Sequence, residues 1–358
     1  MQKTIGILAV LLAAQLVLAV SLSFTTPDLS AAKPDTPLFD LGEHSVERLT
    51  IEGPDQQRVV LAREGENWVL PQLEGFPADR TRVDGLLNRL EGLKRGLPVA
   101  TTEGAQKRFK VDDQTFERRI ELARSDDTLA TLYFGSSPGV RRVHARSAQD
   151  DAVYTVEFGL YDAPAEAEEW EDKAVLQVPR DEIDQIHVAE LVLRRTPGDA
   201  GGGAAAQGDA PKPAGWGGAG LQQGETLNQA GADALAQELA ELRIGAVLGR
   251  ERKAEYGLET AQLVLSVQPR GGEAIEYRVG KREPEEDYVL KVSSRPEYFR
   301  LPAYSAEALI EAASRDKLVM TASEPAEQAE AQQPGSDQSP AQGAEQRPQG
   351  AGAGGDAP

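Results

Sequence analysis

Seven landmarks occur twice along this chain, in the same order and at nearly constant separation. The first set is Trp68, Leu86/Leu90/Leu93, Phe109, Gly135, Val143, Tyr154 and Asp172-Lys173. The second is Trp216, Leu235/Leu239/Leu242, Tyr256, Gly280, Tyr288, Phe299 and Asp316-Lys317. Their separations are 148, 149, 147, 145, 145, 145 and 144 residues. So steady a spacing implies two tandem units of one architecture. It also provides an internal test, because a position whose chemistry differs between units is a poor candidate for a shared reaction.

Each unit reads as a meander, a helix and an antiparallel sheet. In the first, Val46, Leu49 and Ile51, then Val59 and Leu61, then Trp68-Val69-Leu70 are three strands separated by turns at Gly53-Pro54-Asp55 and Gly65-Glu66-Asn67. Asp79 is placed to cap a helix whose apolar residues Val83, Leu86, Leu87, Leu90 and Leu93 recur at three and four. Gly96-Leu97-Pro98 is the expected end of that helix. Strands follow around Ile120, Leu132, Val143 and Tyr154, then a short helical stretch to Trp170 and Asp172-Lys173. In the second unit Ile275, Tyr277 and Val279 alternate with Glu276 and Arg278, the pattern of a sheet with one wet face. Ile186 and Val188 match Leu49 and Ile51 at 137 residues, so 11 residues are inserted before Trp216. The Gly-rich stretch 198–220 is the expected site, read as a solvated loop.

The expected fold is α+β, with unit one at 38–178 and unit two at 181–322. The segment 323–358 is Gln, Ala, Pro, Gly and Glu without aromatic or branched aliphatic residues, a composition read as a disordered tail. At the other end, Thr4 to Phe24 is apolar apart from Gly6, Gln15 and a few hydroxyls, close to the ~20 residues of a membrane-crossing helix. Lys3 stands before it and Asp28, Lys33 and Asp35 after it. The positive-inside bias puts the body outside the cytoplasm. Residues 1–24 are therefore an anchor or a cleaved signal, with Ala19-Val20-Ser21 as the cleavage-like sequence. The length of the run favours the anchor. Residues 25–37 are its tether.

The chemical inventory is short. The chain has no Cys, so thiolate metal sites and Cys nucleophiles are excluded. Its 58 acidic and 38 basic residues leave a net charge of −20, which disfavours nucleic acid as a partner. His44, His144 and His187 have no metal-ligand spacing, and Val289 stands where His144 would recur, so His144 reads as structural. There is no Gly-x-Ser-x-Gly elbow and no phosphate loop. Glu168-Glu169 and Glu285-Glu286 read as solvated runs. No catalytic residue, metal or cofactor is expected. The polar feature both units keep is Asp172-Lys173 and Asp316-Lys317, either a partner contact or a structural closure at a helix end. Trp68 and Trp216 are expected to anchor meander to helix.

Several segments together resemble a known family. They are Val46-Glu47-Arg48-Leu49-Thr50-Ile51, Asn67-Trp68-Val69-Leu70, the Leu helix, Tyr256-Gly257-Leu258, the strand ending in Gly, Val143-His144-Ala145-Arg146 and Asp172-Lys173-Ala174-Val175-Leu176. The whole, across 38–322, resembles the bacterial domain of unknown function 4340 family. The second unit departs from the pattern, with Trp216 in Gly-rich sequence and Val289 to Lys291 replacing the small-residue strand. The family's members are often encoded beside gliding-motility-type ABC transporters. The resemblance implies a cell-envelope accessory protein of such a transport system; with the anchor and the empty catalytic inventory, the expected role is a non-enzymatic, single-pass protein of the bacterial inner membrane. Its body would face the periplasm, and its partners would be ABC transporter subunits. The alternative is a periplasmic binding module holding an envelope glycan or small ligand between the units.

Overall fold

The computed structural model describes residues 36–196, 215–283 and 286–321, together with Gln15. The expected anchor apart from Gln15, residues 25–35 of the tether, residues 198–214 of the Gly-rich stretch and the tail from 323 lie outside the described residues. Among the described residues no helix is long and apolar enough to cross a membrane.

The first half opens with β1 (Thr36–Pro37), then the meander β2 (Arg48–Glu52), β3 (Arg58–Glu64) and β4 (Asn67–Leu70), and the short β5 (Phe76–Pro77). Leu49, Ile51, Val59 and Leu61 are fully buried on one face, as their alternation requires. Helix α1 (Arg80–Glu91) lies on that face through Val83, Leu86 and Leu90. Asp79 caps it, accepting from Arg82 N–H at 3.1 Å. The helix stops at Gly92 rather than Gly96, because β6 (Lys94–Arg95) must extend to pair with β1. A second helix, α2 (Glu103–Phe109), was not legible as one. It is seven residues long and held by a Thr102 cap. Strands β7 (Arg118–Arg124), β8 (Asp127–Phe134), β9 (Arg142–Ser147) and β10 (Tyr154–Glu157) complete an antiparallel sheet of order β10-β9-β8-β7-β2-β3-β4-β5.

The second half contains β11 (Ile183–Val188), β12 (Leu191–Thr196), β13 (Gly215–Ala219), β14 (Glu225–Leu227), helix α3 (Gln229–Ala240) and β15 (Ala246–Gly249). After these come β16 (Leu263–Pro269), β17 (Ile275–Lys281), β18 (Tyr288–Val292) and β19 (Tyr298–Leu301). The sheet order is β13-β12-β11-β16-β17-β18-β19-β15. Helices α4 (Ala303–Ala312) and α5 (Arg315–Leu318) and strand β20 (Val319–Thr321) close the chain, with β20 paired to β14. The architecture is mixed α and β, with antiparallel sheets throughout.

Strand register corrects the expected insertion. Ile51 pairs with Val59 across seven residues, whereas Val188 pairs with Leu191 across two. Arg63 pairs with Trp68 across four residues, whereas Arg195 pairs with Trp216 across twenty. The 11 extra residues are thus a turn shortened by five and a connection lengthened by sixteen. The end of the Gly-rich stretch is also not loop. Gly215–Ala219 forms β13, because ladder pairing with β12 needs backbone only and Trp216 supplies the buried side chain.

Close backbone approach explains Gly135, just after β8, and Gly280, near the end of β17. A Cβ on Gly135 would lie 2.0 Å from Phe109 O, and one on Gly280 would lie 2.3 Å from Tyr256 O. Only glycine fits there.

The halves interlock. Phe76 belongs to the first sheet, yet it is buried in the core of the second half with Leu176 and Val178, its ring 6.0 Å from that of Phe299. Burying such a side chain contributes about 1.5–3 kcal/mol.

Candidate binding cleft

An open cleft of about 640 Å³ lies where the halves meet. Its walls are the start of β4 (Asn67 to Val69), the start of α1 with its cap (Asp79 to Thr81), Glu64, the joining segment at Asp172 and Ala174, and Arg243 from the second half. The wall is mostly polar, and three carboxylates face two guanidinium groups. Two of the carboxylates are already engaged. Asp79 caps α1, and Asp172 Oδ1 accepts from Ala174 N–H at 2.9 Å. Arg80 pairs with Asp84 at 3.3 Å, while Arg243 is exposed and makes no ion pair among the described residues.

Trp68 and Trp216 are both buried, and each indole N–H donates to an aspartate one turn into its helix. The distances are 3.3 Å from Trp68 to Asp84 and 3.0 Å from Trp216 to Asp233. Arg195 lies 4.1 Å over the Trp216 ring. Burial works to raise the Asp233 carboxyl, but hydrogen bonds from Arg180 and Trp216 bring it below the usual carboxylate range.

The Asp-Lys pairs are placed differently from each other. Asp172 lines the cleft, with its N–H donating to Pro77 O at 3.0 Å. Lys173 turns to the second half, where its Nζ donates to Gly245 O and its carbonyl accepts from Ile244 N–H at 3.0 Å. Asp316 and Lys317 lie exposed on α5, and Lys317 pairs with Glu311 at 2.8 Å. Backbone register shows that the two pairs are not in matching positions. Ala78 bridges Glu171 and Leu227 pairs with Val319, so Glu171 matches Val319 at 148 residues rather than 144. The extra residues fall after β19, where the second half carries α4.

A buried residue that joins the halves was missed in the sequence. Glu171 is buried, and its Oε2 accepts from Lys173 Nζ at 2.8 Å and from Val247 N–H at 3.1 Å. Burial pushes its carboxyl above the usual range, against the opposing pull of Lys173 and the Val247 N–H. Nothing in the sequence separates Glu171 from its acidic neighbours Glu168 and Glu169. Nearby, Arg250 reaches across from the second half to Glu74 at 2.6 Å while holding buried Glu297 at 3.0 Å. Arg243 and Gln229 were missed too. Gln229 stands first in its helix and is distinguished only by its contacts.

His144 is buried away from the cleft. Its Nδ1 lies 2.8 Å from Ser136 O and its ring 4.2 Å from that of Phe109. His44 contacts Arg124 at 3.3 Å, and His187 contacts Gln185 at 3.4 Å. Among the described residues no group of three or more His, Cys, Asp or Glu side chains is placed to hold a metal ion.

No curated protein matches this chain. No solved structure matches it either. The family model for a domain of unknown function (DUF4340) matches residues 68–261, just over half the chain, across the tryptophan strand, the cleft, the joining segment and the second meander. The chain belongs to the DUF4340 family.

Proposed function

We propose that the chain is a non-enzymatic protein-binding module made of two copies of one meander–helix–sheet unit. Residues 1–24 would tether it to the bacterial inner membrane, with its body in the periplasm and its partner an ABC-type transport complex. The duplication draws support from the shared central strand order, the two indole–aspartate pairs and the two glycine contacts. The anchor draws support from the apolar run of Thr4 to Phe24, and the transport partner from the family's usual gene neighbours.

The observation that carries the binding role is the cleft at the junction. It is open, polar and of mixed charge, and its floor is fixed because Phe76, Glu171 and Arg250 tie the halves together. A rigid floor binds without the entropic cost of ordering it. The alternative ligand, an envelope glycan, is disfavoured by Trp68. Its indole is buried and its N–H is engaged by Asp84, leaving no aromatic face for a sugar ring. Affinity purification from solubilised membranes tests the proposal. Recovery of a transporter permease or ATPase with the wild type is expected, weakened by Arg243→Glu. Recovery of neither subunit would remove the transport role.

A further inference from the structure

The two tryptophan strands are built alike and finished differently. In the second half one side-chain amide closes the strand edge. Trp216 N–H donates to Gln229 Oε1 at 2.8 Å, and Gln229 Nε2 donates to Trp216 O at 2.7 Å. In the first half Trp68 pairs with Arg63, whose own N–H points the other way, to Glu47 O at 2.8 Å. Trp68 therefore turns its backbone groups outward. Its carbonyl accepts from Ala78 N–H at 2.9 Å. Its N–H lies on the same side of the strand and meets no acceptor among the described residues. The residue in the place of Gln229, first in its helix, is Arg80, whose guanidinium has no acceptor to offer.

Trp68 lines the cleft although the residue is buried. An N–H left without a partner at so buried a residue calls for an acceptor from outside. The second half shows what kind of group fits, since there the place is taken by an amide. Arg243, exposed on the same cleft and without an ion pair among the described residues, adds a demand for a carboxylate.

We infer that the cleft takes an extended segment of a partner protein, with a peptide carbonyl on Trp68 N–H and an acidic side chain on Arg243. Glu64 and Asp172 on the same walls accept from the N–H groups of that segment. The main-chain bond to Trp68 N–H adds affinity and fixes the segment, and Arg243 supplies the sequence preference. This rests on the reading of the chain as a protein-binding module, and it names the chemistry of what is bound.

The test uses the full chain in lipid nanodiscs and a phage-displayed library of random dodecapeptides. Enriched peptides are expected to carry Asp or Glu. As synthetic peptides they should bind Arg80→Gln and Arg243→Glu at least about tenfold more weakly than the wild type. Arg80→Gln places in the first half the amide that Gln229 supplies in the second. Arg80→Ala removes the same charge without offering an acceptor, so it should bind at least about threefold more tightly than Arg80→Gln. Amide exchange at Trp68 should slow in Arg80→Gln and in the peptide complex, which also shows that the variant is folded. Three results overturn the assignment: no enrichment, equal binding by all variants, or equal loss in Arg80→Ala and Arg80→Gln. Recovery of a transporter subunit alongside failed peptide selection removes the cleft assignment and leaves the module. Peptide binding without a transporter subunit leaves the cleft assignment and removes the transport role.

Discussion

Glu171 closes the outer edge of the second sheet: the Val247 N–H of β15 donates to its carboxylate at 3.1 Å. The same oxygen accepts from Lys173, so one buried anion joins the end of the first half to the edge strand of the next. A buried carboxylate is costly without its cation. Lys173→Ala should destabilise the chain by about 2–4 kcal/mol, and Glu171→Gln should cost less. Urea denaturation of both variants and of the double variant measures the coupling. Strict additivity would show that the contact contributes nothing.

The pH dependence of that contact has a definite sign. Burial raises the folded carboxyl of Glu171 above its ordinary value of 4.5. Its titration therefore favours the fold below the unfolded value, and that contribution is lost as pH rises through the folded one. Relative to Glu171→Gln, the wild type should gain stability as pH falls from 7 toward 4.5. Denaturation midpoints of the two proteins at several pH values check it, and a widening deficit of the wild type at low pH would contradict it.

Phe76 couples the halves through the core. Phe76→Ala should cost about 3–5 kcal/mol. Because Phe76 packs on Phe299, the loss should be felt in both halves. Trp68 and Trp170 report on the first half and Trp216 on the second. Single-tryptophan versions of the wild type should give coincident unfolding curves. Separate curves would show that the halves unfold independently.

Lys110 and Gly257 both stand in left-handed bends, with φ of +58° and +62°. A left-handed conformation costs a side-chain-bearing residue about 1 kcal/mol. Lys110→Gly should therefore stabilise the chain by somewhat less than about 1 kcal/mol after loss of its exposed pair with Glu117. Gly135→Ala should destabilise it by about 3 kcal/mol or more, because the new Cβ would meet Phe109 O at 2.0 Å. Thermal melts of the two variants should move in opposite directions.

What the sequence made legible is what periodicity encodes. The alternation of Val59 and Leu61 marked a strand face, and the three-and-four spacing of Val83, Leu86 and Leu90 marked a helix face capped by Asp79. Register was not legible, because pairing is decided by turn lengths that a residue count sums together. Hence a shortened turn and a lengthened connection looked like a single insertion. Hence also the Asp-Lys pairs seemed equivalent, although Ala78 bridges Glu171 where Leu227 pairs with Val319. Of the cleft, Trp68 and Asp172 stood out beforehand. Arg243 and Gln229 did not, since an unpaired guanidinium and an edge-closing amide exist only once strands are placed.

The seat of Phe76 also sets an order of assembly. Synthesis runs from the amino terminus, so the first sheet is complete long before Phe299 exists. Until then Phe76 has no ring to rest on, and the newborn half presents an apolar knob to any holdase that meets it. That knob is covered only with β19, which makes arrival of the carboxyl-terminal sheet the step that buries it.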